Sequence, residues 1–470
     1  MSMKIKQLVI VLMATLALSG CSSKATPDNV DKGFSKDDII YFIMVDRFAD
    51  SDPEENLQDV DKTDLRAFQG GDLEGIIGKL DYIKSTGATA IWLTPIMLNG
   101  PNGYHGYWIY DFENVDPHFG DMETFKRLVE EAHARDIKVV LDYIVNHTGY
   151  DSPWLDDPDK EDWFNPDRVI NNWKDPEEVE LGWLAGLPDL DQSNPEVESY
   201  FIDNALWWID ETGIDGFRLD TVRHVPETFW VTFTQTIKEK HPDFFFLGEV
   251  WDENTKKLES YHGTGIDSIT NYSLYAGIKN AFNPMPNMFS LVNAFSKEEA
   301  FTNPDLNALF IDNHDNPRYI SLNPKYGEEY MLQALTLLYT YPGIPVLYYG
   351  TEISMSGGGD PENRKFMEWE RAESHPTLDY VRSLSEIRAE FLDTFELIHY
   401  EKEHIVYEIS KNDKKLLILI NASSKEKEIA FDYEAKALVN HLTGETSIEF
   451  SDNHFDITAE PFDILFFEVE

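Results

Sequence analysis

Arg218 and Asp220 stand two residues apart in the stretch 213–224, Gly-Ile-Asp-Gly-Phe-Arg-Leu-Asp-Thr-Val-Arg-His. On a strand, side chains alternate between faces, so Gly216, Arg218 and Asp220 point one way and Phe217 and Leu219 the other. A guanidinium beside a carboxylate favours its ionised form, which a carboxylate nucleophile requires. The pair also suits a plainer part, with Asp220 capping the next helix and Arg218 as its ion-pair partner. Two more acids end comparable apolar runs: Glu249 after Phe244 to Gly248, and Asp315 after Phe310 to His314. Glu249, between Phe246 and Trp251, is expected to keep its proton, because apolar surroundings disfavour a charge. Carboxyls that converge in one pocket push one another's pKa values apart.

These acids need strands to bring them to one rim. Apolar runs at 39–45, 90–93, 138–143, 216–219, 244–247, 266–269, 308–311 and 344–348 read as strands. Helical periodicity falls between them, clearest at 73–85, 122–135, 195–212, 227–240, 327–341 and 378–396. Eight near-continuous apolar strands alternating with helices predict an α/β fold, a (β/α)8 TIM barrel whose active site sits at the C-terminal strand ends. That is where Asp220, Glu249 and Asp315 fall. The polar stretch 147–195 is far longer than an ordinary strand-to-helix loop and is expected to form a small inserted subdomain after strand three. From about Phe391 the pattern turns to alternating strands, including 415–421 and 464–469. The expected division is a catalytic barrel over 34–391 and a C-terminal antiparallel β-sandwich over 392–470.

A chain of 470 residues accommodates a barrel and a smaller unit. Its 39 Lys plus Arg against 86 Asp plus Glu give a formal charge of −47, a field that repels nucleic acid. The same excess suits solubility at high salt. Aromatic residues make up 13% of the chain, with 11 Trp and 22 Tyr, which suits stacking on sugar rings as well as filling a large core. Lys4 and Lys6 precede the apolar run 8–18, too short to span a membrane as a helix, and Leu18-Ser19-Gly20-Cys21 follows. This resembles a bacterial lipoprotein signal. It implies a signal peptide over 1–20, lipid on Cys21, a tether over 21–33, and an exported protein anchored to the outer face of a membrane. Cys21 is the only cysteine, so no disulfide forms within the chain.

A protonated acid facing an ionised carboxylate is the arrangement for retaining glycoside hydrolysis, with the two carboxyls about 5–5.5 Å apart. Asp315 would then steady the charge that builds on the sugar ring. Four stretches now carry a resemblance to the alpha-amylase family of glycoside hydrolases: 142–147, 216–224, 248–249 and 310–315, in the family's order. Further matches lie at 71–95, 104–107, 187–190 and 343–352, so the resemblance spans about 37–391.

The resemblance implies that Asp220 is the nucleophile, Glu249 the acid/base and Asp315 the transition-state stabiliser. It implies that Arg218, His105, Tyr107, His147 and His314 contact substrate, with Tyr107 stacking on the sugar. Arg223 stands where many amylases have Lys at a leaving-side subsite. A calcium ion (Ca2+) is implied at Asn146, Asp189 and the His224 carbonyl, with no fourth ligand identifiable. Asp50, Asp52, Asn56, Gly70 and Asp72 resemble a second calcium loop and equally suit an acidic turn. The expected activity is endo-acting cleavage of α-1,4-glucosidic bonds in starch and maltodextrins by a monomer. A cyclomaltodextrinase, maltogenic amylase or glucanotransferase is the enzymatic alternative, suggested by Val45-Asp46-Arg47-Phe48 and the acidic loop after it. A catalytically silent glycan-binding protein would usually lack one of the three acids.

Overall fold

The computed structural model describes residues 33–469 apart from 55, 56, 58, 436, 442–445 and 450–452. The predicted signal peptide, Cys21, the tether up to residue 32 and Asn56 therefore lie outside the described residues. Eight parallel strands form the central sheet: β1 (Ile40–Ile43), β2 (Ala90–Leu93), β3 (Lys138–Tyr143), β4 (Gly216–Leu219), β5 (Phe245–Gly248), β6 (Ser268–Ile269), β7 (Ala308–Leu309) and β8 (Ile344–Tyr348). Their order is β6-β5-β4-β3-β2-β1-β8-β7, and a parallel bridge from Thr270 to Ala308 brings the two edges together as a nearly closed barrel. The strands are buried along almost their whole length, which is why they read as near-continuous apolar runs. Strands β6 and β7 are shorter than expected, the chain leaving the ladder at Thr270 and Phe310.

Helices 195–212, 227–240 and 327–340 fall where the periodicity puts them. The first begins at Pro195 under an Asn194 cap and stops at Gly213, whose φ of +71° favours glycine. The predicted helix over 73–85 is two helices, Leu73–Ile77 and Leu80–Ser85, since the Gly78 amide turns back to Glu74 and Ile76 and ends the first. The last barrel helix spans Pro376–Phe391, not 378–396, because the chain from Thr394 is taken up as a strand. Helices Thr255–His262, Tyr272–Ala281 and Met288–Glu298 have no counterpart in the sequence reading.

Beyond Phe391, strands β9 (Thr394–Tyr400), β10 (His404–Lys411), β11 (Lys414–Asn421), β12 (Lys427–Asp432), β13 (Ala437–Asn440), β14 (Thr446–Glu449), β15 (His454–Ala459) and β16 (Ile464–Val469) follow. One antiparallel sheet has the order β9-β10-β11-β16-β13-β14, and β12 pairs with β15 in a second. Alternation sorts the larger sheet's side chains: Val406, Leu417 and Leu419 face the β12–β15 pair, while Ile405, Tyr407, Ile409, Leu416 and Ile418 join the barrel core. Burial on both faces gives the apolar runs 405–407 in β10 and 416–420 in β11. The Tyr407 hydroxyl meets Thr340 Oγ1 at 2.7 Å, and Gln333 donates to the Asn421 carbonyl at 2.8 Å, fastening the sandwich to helix 327–340. Among the described residues no helix is long and apolar enough to cross a membrane.

Candidate active site

Strand register assembles the site. Parallel pairing of β3 and β4 sets Asp142 opposite Arg218, and β4 against β5 sets Leu219 opposite Gly248, so Asp220 and Glu249 leave the barrel side by side. Arg218 is buried and engages three acids. Its Nη1 donates to Asp142 Oδ1 at 2.8 Å and to Asp220 Oδ1 at 2.6 Å, while Nη2 lies 2.9 Å from Glu249 Oε1. One planar fork therefore sets the spacing between Asp220 and Glu249. The other Glu249 oxygen accepts the Thr221 amide at 3.0 Å. Thr221 has φ +46°, a left-handed conformation costly for a β-branched residue, held where the chain turns away from Asp220.

Burial raises the Glu249 carboxyl well above the ordinary carboxyl range; Arg218 opposes the shift, and the charges of Asp220 and Asp315 add to it. The expectation of a raised Glu249 rested on its flanking rings, of which the structure leaves Trp251 half exposed and stacked on Tyr272. Withdrawal from water is the main cause. Asp142 is likewise raised by burial against the pull of Arg218, and it accepts the Tyr107 hydroxyl at 2.7 Å and Trp92 Nε1 at 3.1 Å. Asp142 thus positions both Arg218 and Tyr107. The sequence reading passed through Asp142 without giving it a part, as it did Arg364.

Asp315 follows β7, and its Oδ1 lies 3.1 Å from Arg364 Nη2, while His314 Nε2 lies 3.3 Å from Oδ2. His314 stacks on Tyr107 with ring centroids 5.3 Å apart, and its buried Nδ1 has no hydrogen-bond partner. Burial pushes the His105, His147 and His314 imidazoles down, so all three are neutral and offer one donor and one acceptor each. His147 Nε2 approaches the Tyr107 carbonyl at 3.3 Å, and His105 Nδ1 accepts the Tyr107 amide at 3.1 Å.

These residues line a cleft of about 600 Å³ that also includes Arg223, Trp173 and Trp251. The Arg223 guanidinium is committed to the protein, donating to the Trp251 carbonyl at 2.9 Å and the Trp173 carbonyl at 3.0 Å. It straps two half-exposed rings to the cleft rim. Trp173 comes from the inserted stretch, whose ordered parts include short helices at 153–156, 158–160 and 176–180.

The first expected calcium set passes a test of fit. Asn146 and Asp189 are fully buried and brought together by the Leu190 amide donating to the Asn146 carbonyl at 2.8 Å, yet Asn146 Oδ1 and Asp189 Oδ1 have no hydrogen-bond partner. Burial raises the Asp189 carboxyl to about 8. Two orphaned buried oxygens suit a hard cation. His224 is buried, its ring Nδ1 3.0 Å from the Val179 carbonyl. The second set differs. Asp50 accepts the Asp52 amide and pairs with Lys62 at 2.6 Å, and Asp72 accepts the Gly75 amide, the Ser51 amide and the Ser51 hydroxyl. Gly70 has φ +90° and gives its amide to Asp46. With an ammonium already beside Asp50, the acidic-turn reading is the one this geometry supports.

A nearly closed parallel barrel carrying three carboxyls on the C-terminal rim, that of Glu249 raised by burial, is the frame of a carbohydrate-cleaving enzyme. The catalytic-domain model of the alpha-amylase family matches residues 42–384, and the chain belongs to that family of glycoside hydrolases. It is 34% identical to a beta/alpha-amylase of Paenibacillus polymyxa over 94% of its length, but spans only 38% of that enzyme. A cyclomaltodextrinase of Geobacillus thermopakistaniensis is 33% identical over 87% of this chain and 73% of its own, and a maltogenic alpha-amylase of Bacillus acidopullulyticus is 32% identical over 92% and 78%. Among solved structures, an Anoxybacillus alpha-amylase superposes with a TM-score of 0.88 at 43% identity, covering 92% of this chain and 98% of that one. The Geobacillus thermoleovorans alpha-amylase complexed with acarbose gives 0.85 at 40%, covering 93% and 98%.

Proposed function

We propose that this chain is a retaining hydrolase of α-1,4-glucosidic bonds that acts on maltodextrins and cyclodextrins in the manner of the cyclomaltodextrinases and maltogenic amylases among its relatives. The observation that carries the chemistry is the single guanidinium of Arg218 shared by Asp220 and Glu249. Asp220 attacks the anomeric carbon while Glu249 gives its proton to the departing glycosidic oxygen. A glycosyl ester on Asp220 results. Glu249, now ionised, takes a proton from water as that water displaces Asp220, restoring both groups. Asp315, steadied by Arg364, faces the positive charge that builds on the ring in both steps. Tyr107, held by Asp142, gives the sugar a flat surface, and the neutral histidines bond its hydroxyls.

A second reading, endo-cleavage of starch, is favoured by the likeness to the two solved alpha-amylases over nearly their whole lengths. Chromatography of products from soluble starch, maltoheptaose and β-cyclodextrin separates the two. Maltose as main product and rapid opening of the cyclodextrin support the first; a ladder of long products from starch with the cyclodextrin untouched refutes it.

Asn146, Asp189 and the His224 carbonyl would hold calcium, which would clamp the inserted stretch against the barrel; no step of the reaction passes through it. Export and lipid attachment at Cys21 are proposed on the signal-like segment before it. Cys21→Ser should release the protein from membranes at unchanged specific activity, and continued attachment would refute the anchor.

A further inference from the structure

Outside the cleft, one turn gathers metal-binding side chains. Strands β9 and β10 pair antiparallel, with a register shift between Leu397 and His399, and are joined by a tight turn in which the Glu401 amide donates to the His404 carbonyl at 3.0 Å. The shift brings His399 beside His404, their rings stacked at 5.3 Å, and one ligand atom from each of His399, Glu401 and His404 lies within 4.8 Å of the others. His404 is 3% exposed and its Nε2 has no hydrogen-bond partner, an unfavourable state for a buried polar atom. The structure thus leaves an imidazole nitrogen unsatisfied in a residue whose ring sits beside a second imidazole and near a carboxylate.

We infer that His399, Glu401 and His404 form a binding site for a first-row divalent cation of the zinc type.

The donor set decides the class of ion. Two imidazoles and one carboxylate suit zinc, copper or nickel far better than calcium or magnesium, which take oxygen ligands. Ligand atoms around zinc sit about 2.0–2.2 Å from the ion, hence within about 4 Å of each other, so a small closing movement of these side chains from within 4.8 Å completes the set. Glu401 is exposed and free to make it. His399 is braced from behind by Phe431, stacked at 6.2 Å.

The turn is also fixed before any ion arrives. The Lys402 carbonyl accepts the Met288 amide at 3.1 Å, the Glu403 carbonyl accepts the Ala422 amide at 2.8 Å, and Glu403 pairs with Lys427. Met288 begins helix 288–298 of the barrel unit, so an ion in this turn would brace the point where the β-sandwich meets the barrel. With three protein ligands, the fourth position opens to solvent.

The test uses the purified full chain, treated with chelator, desalted and returned to excess calcium, which saturates surface carboxylates without competing for imidazole. Zinc is then titrated calorimetrically, and metal retained after a second desalting is measured. The expected result is one zinc held per chain, with a higher Tm in zinc than in calcium alone. Cobalt in its place should give the visible absorption of a four-coordinate ion. Glu401→Gln and His399→Gln, at an exposed and a half-exposed position, should lose the retained zinc and the zinc-dependent rise in Tm while keeping the wild-type Tm in calcium. The inference is overturned if wild-type protein retains no zinc, or if both variants retain as much as wild type, which would place the bound metal elsewhere on the acidic surface.

Discussion

Replacing Glu249 with Gln separates its proton from its shape. The two carboxyl oxygens face different groups: Oε1 lies 2.9 Å from Arg218 Nη2 in an ion pair, and Oε2 accepts the Thr221 amide at 3.0 Å. A protonated carboxyl preserves this pattern, since its hydroxyl oxygen still has a lone pair and turns its hydrogen to the cleft. The Gln amide nitrogen has none, so one of the two donors is orphaned, at about 1–3 kcal/mol. The loss of proton donation is separate and worth about 100- to 10,000-fold in rate, or about 2.7–5.5 kcal/mol of barrier. Maltoheptaose turnover should fall by at least that factor. An aryl maltoside with a good leaving group should regain most of its first step. The pH profile gives an independent readout. Because the Glu249 pKa is raised, wild-type kcat/KM should decline as pH rises through the raised value, and the variant should lack that alkaline limb. Stability follows the same linkage. Between the ordinary carboxyl pKa and the raised one the native state binds more protons than the unfolded chain, so the stability from this group is full below the window and is lost as pH rises through it. The variant's Tm should therefore gain on wild type toward alkaline pH. Equal losses on both substrates together with an unchanged alkaline limb would refute the assignment of Glu249 as the acid.

Asp220→Asn keeps the shape of the side chain but removes the nucleophile's charge, and should lower kcat by at least about 1,000-fold with glucan binding retained; near wild-type turnover would exclude the role. Arg223→Ala cuts the strap between the Trp173 and Trp251 carbonyls, so KM for maltoheptaose should rise about 10-fold with kcat changed less, from two charge-assisted bonds each contributing about 1.5–3 kcal/mol to the rim. An unchanged KM would show that the two rings need no strap. Removal of calcium should lower Tm and activity together, with calcium restoring both, and Asp189→Ala should blunt that response at micromolar metal; an undiminished response would move the clamp away from Asn146 and Asp189.

Barrel strands 90–93, 138–143, 216–219 and 344–348 were legible residue for residue, because a strand buried on both faces is apolar along most of its length, Asp142 and Arg218 being the exceptions that turn toward the site. The acids Asp220, Glu249 and Asp315 were legible for the same reason: each is the first ionisable residue past such a run or within the short loop that follows it. What stayed hidden depends on contacts between distant segments. Asp142 meets Arg218 across 76 positions only through the β3–β4 register, and Arg364 reaches Asp315 from beyond the last barrel strand. Arg223 looks in sequence like a substrate ligand, yet its donors are taken by carbonyls brought to it from two loops. The split of 73–85 at Gly78 and the helices at 255–262, 272–281 and 288–298 were missed although each of the three carries an apolar face, because they are short segments close behind strand ends. His399 and His404, five residues apart on either side of a turn, carry no signal until a register shift in the hairpin turns their rings together. Local sequence specifies which segments are buried and where a charge begins. Which charges then face one another is set by strand order and register, because a parallel barrel joins residues that the chain keeps far apart.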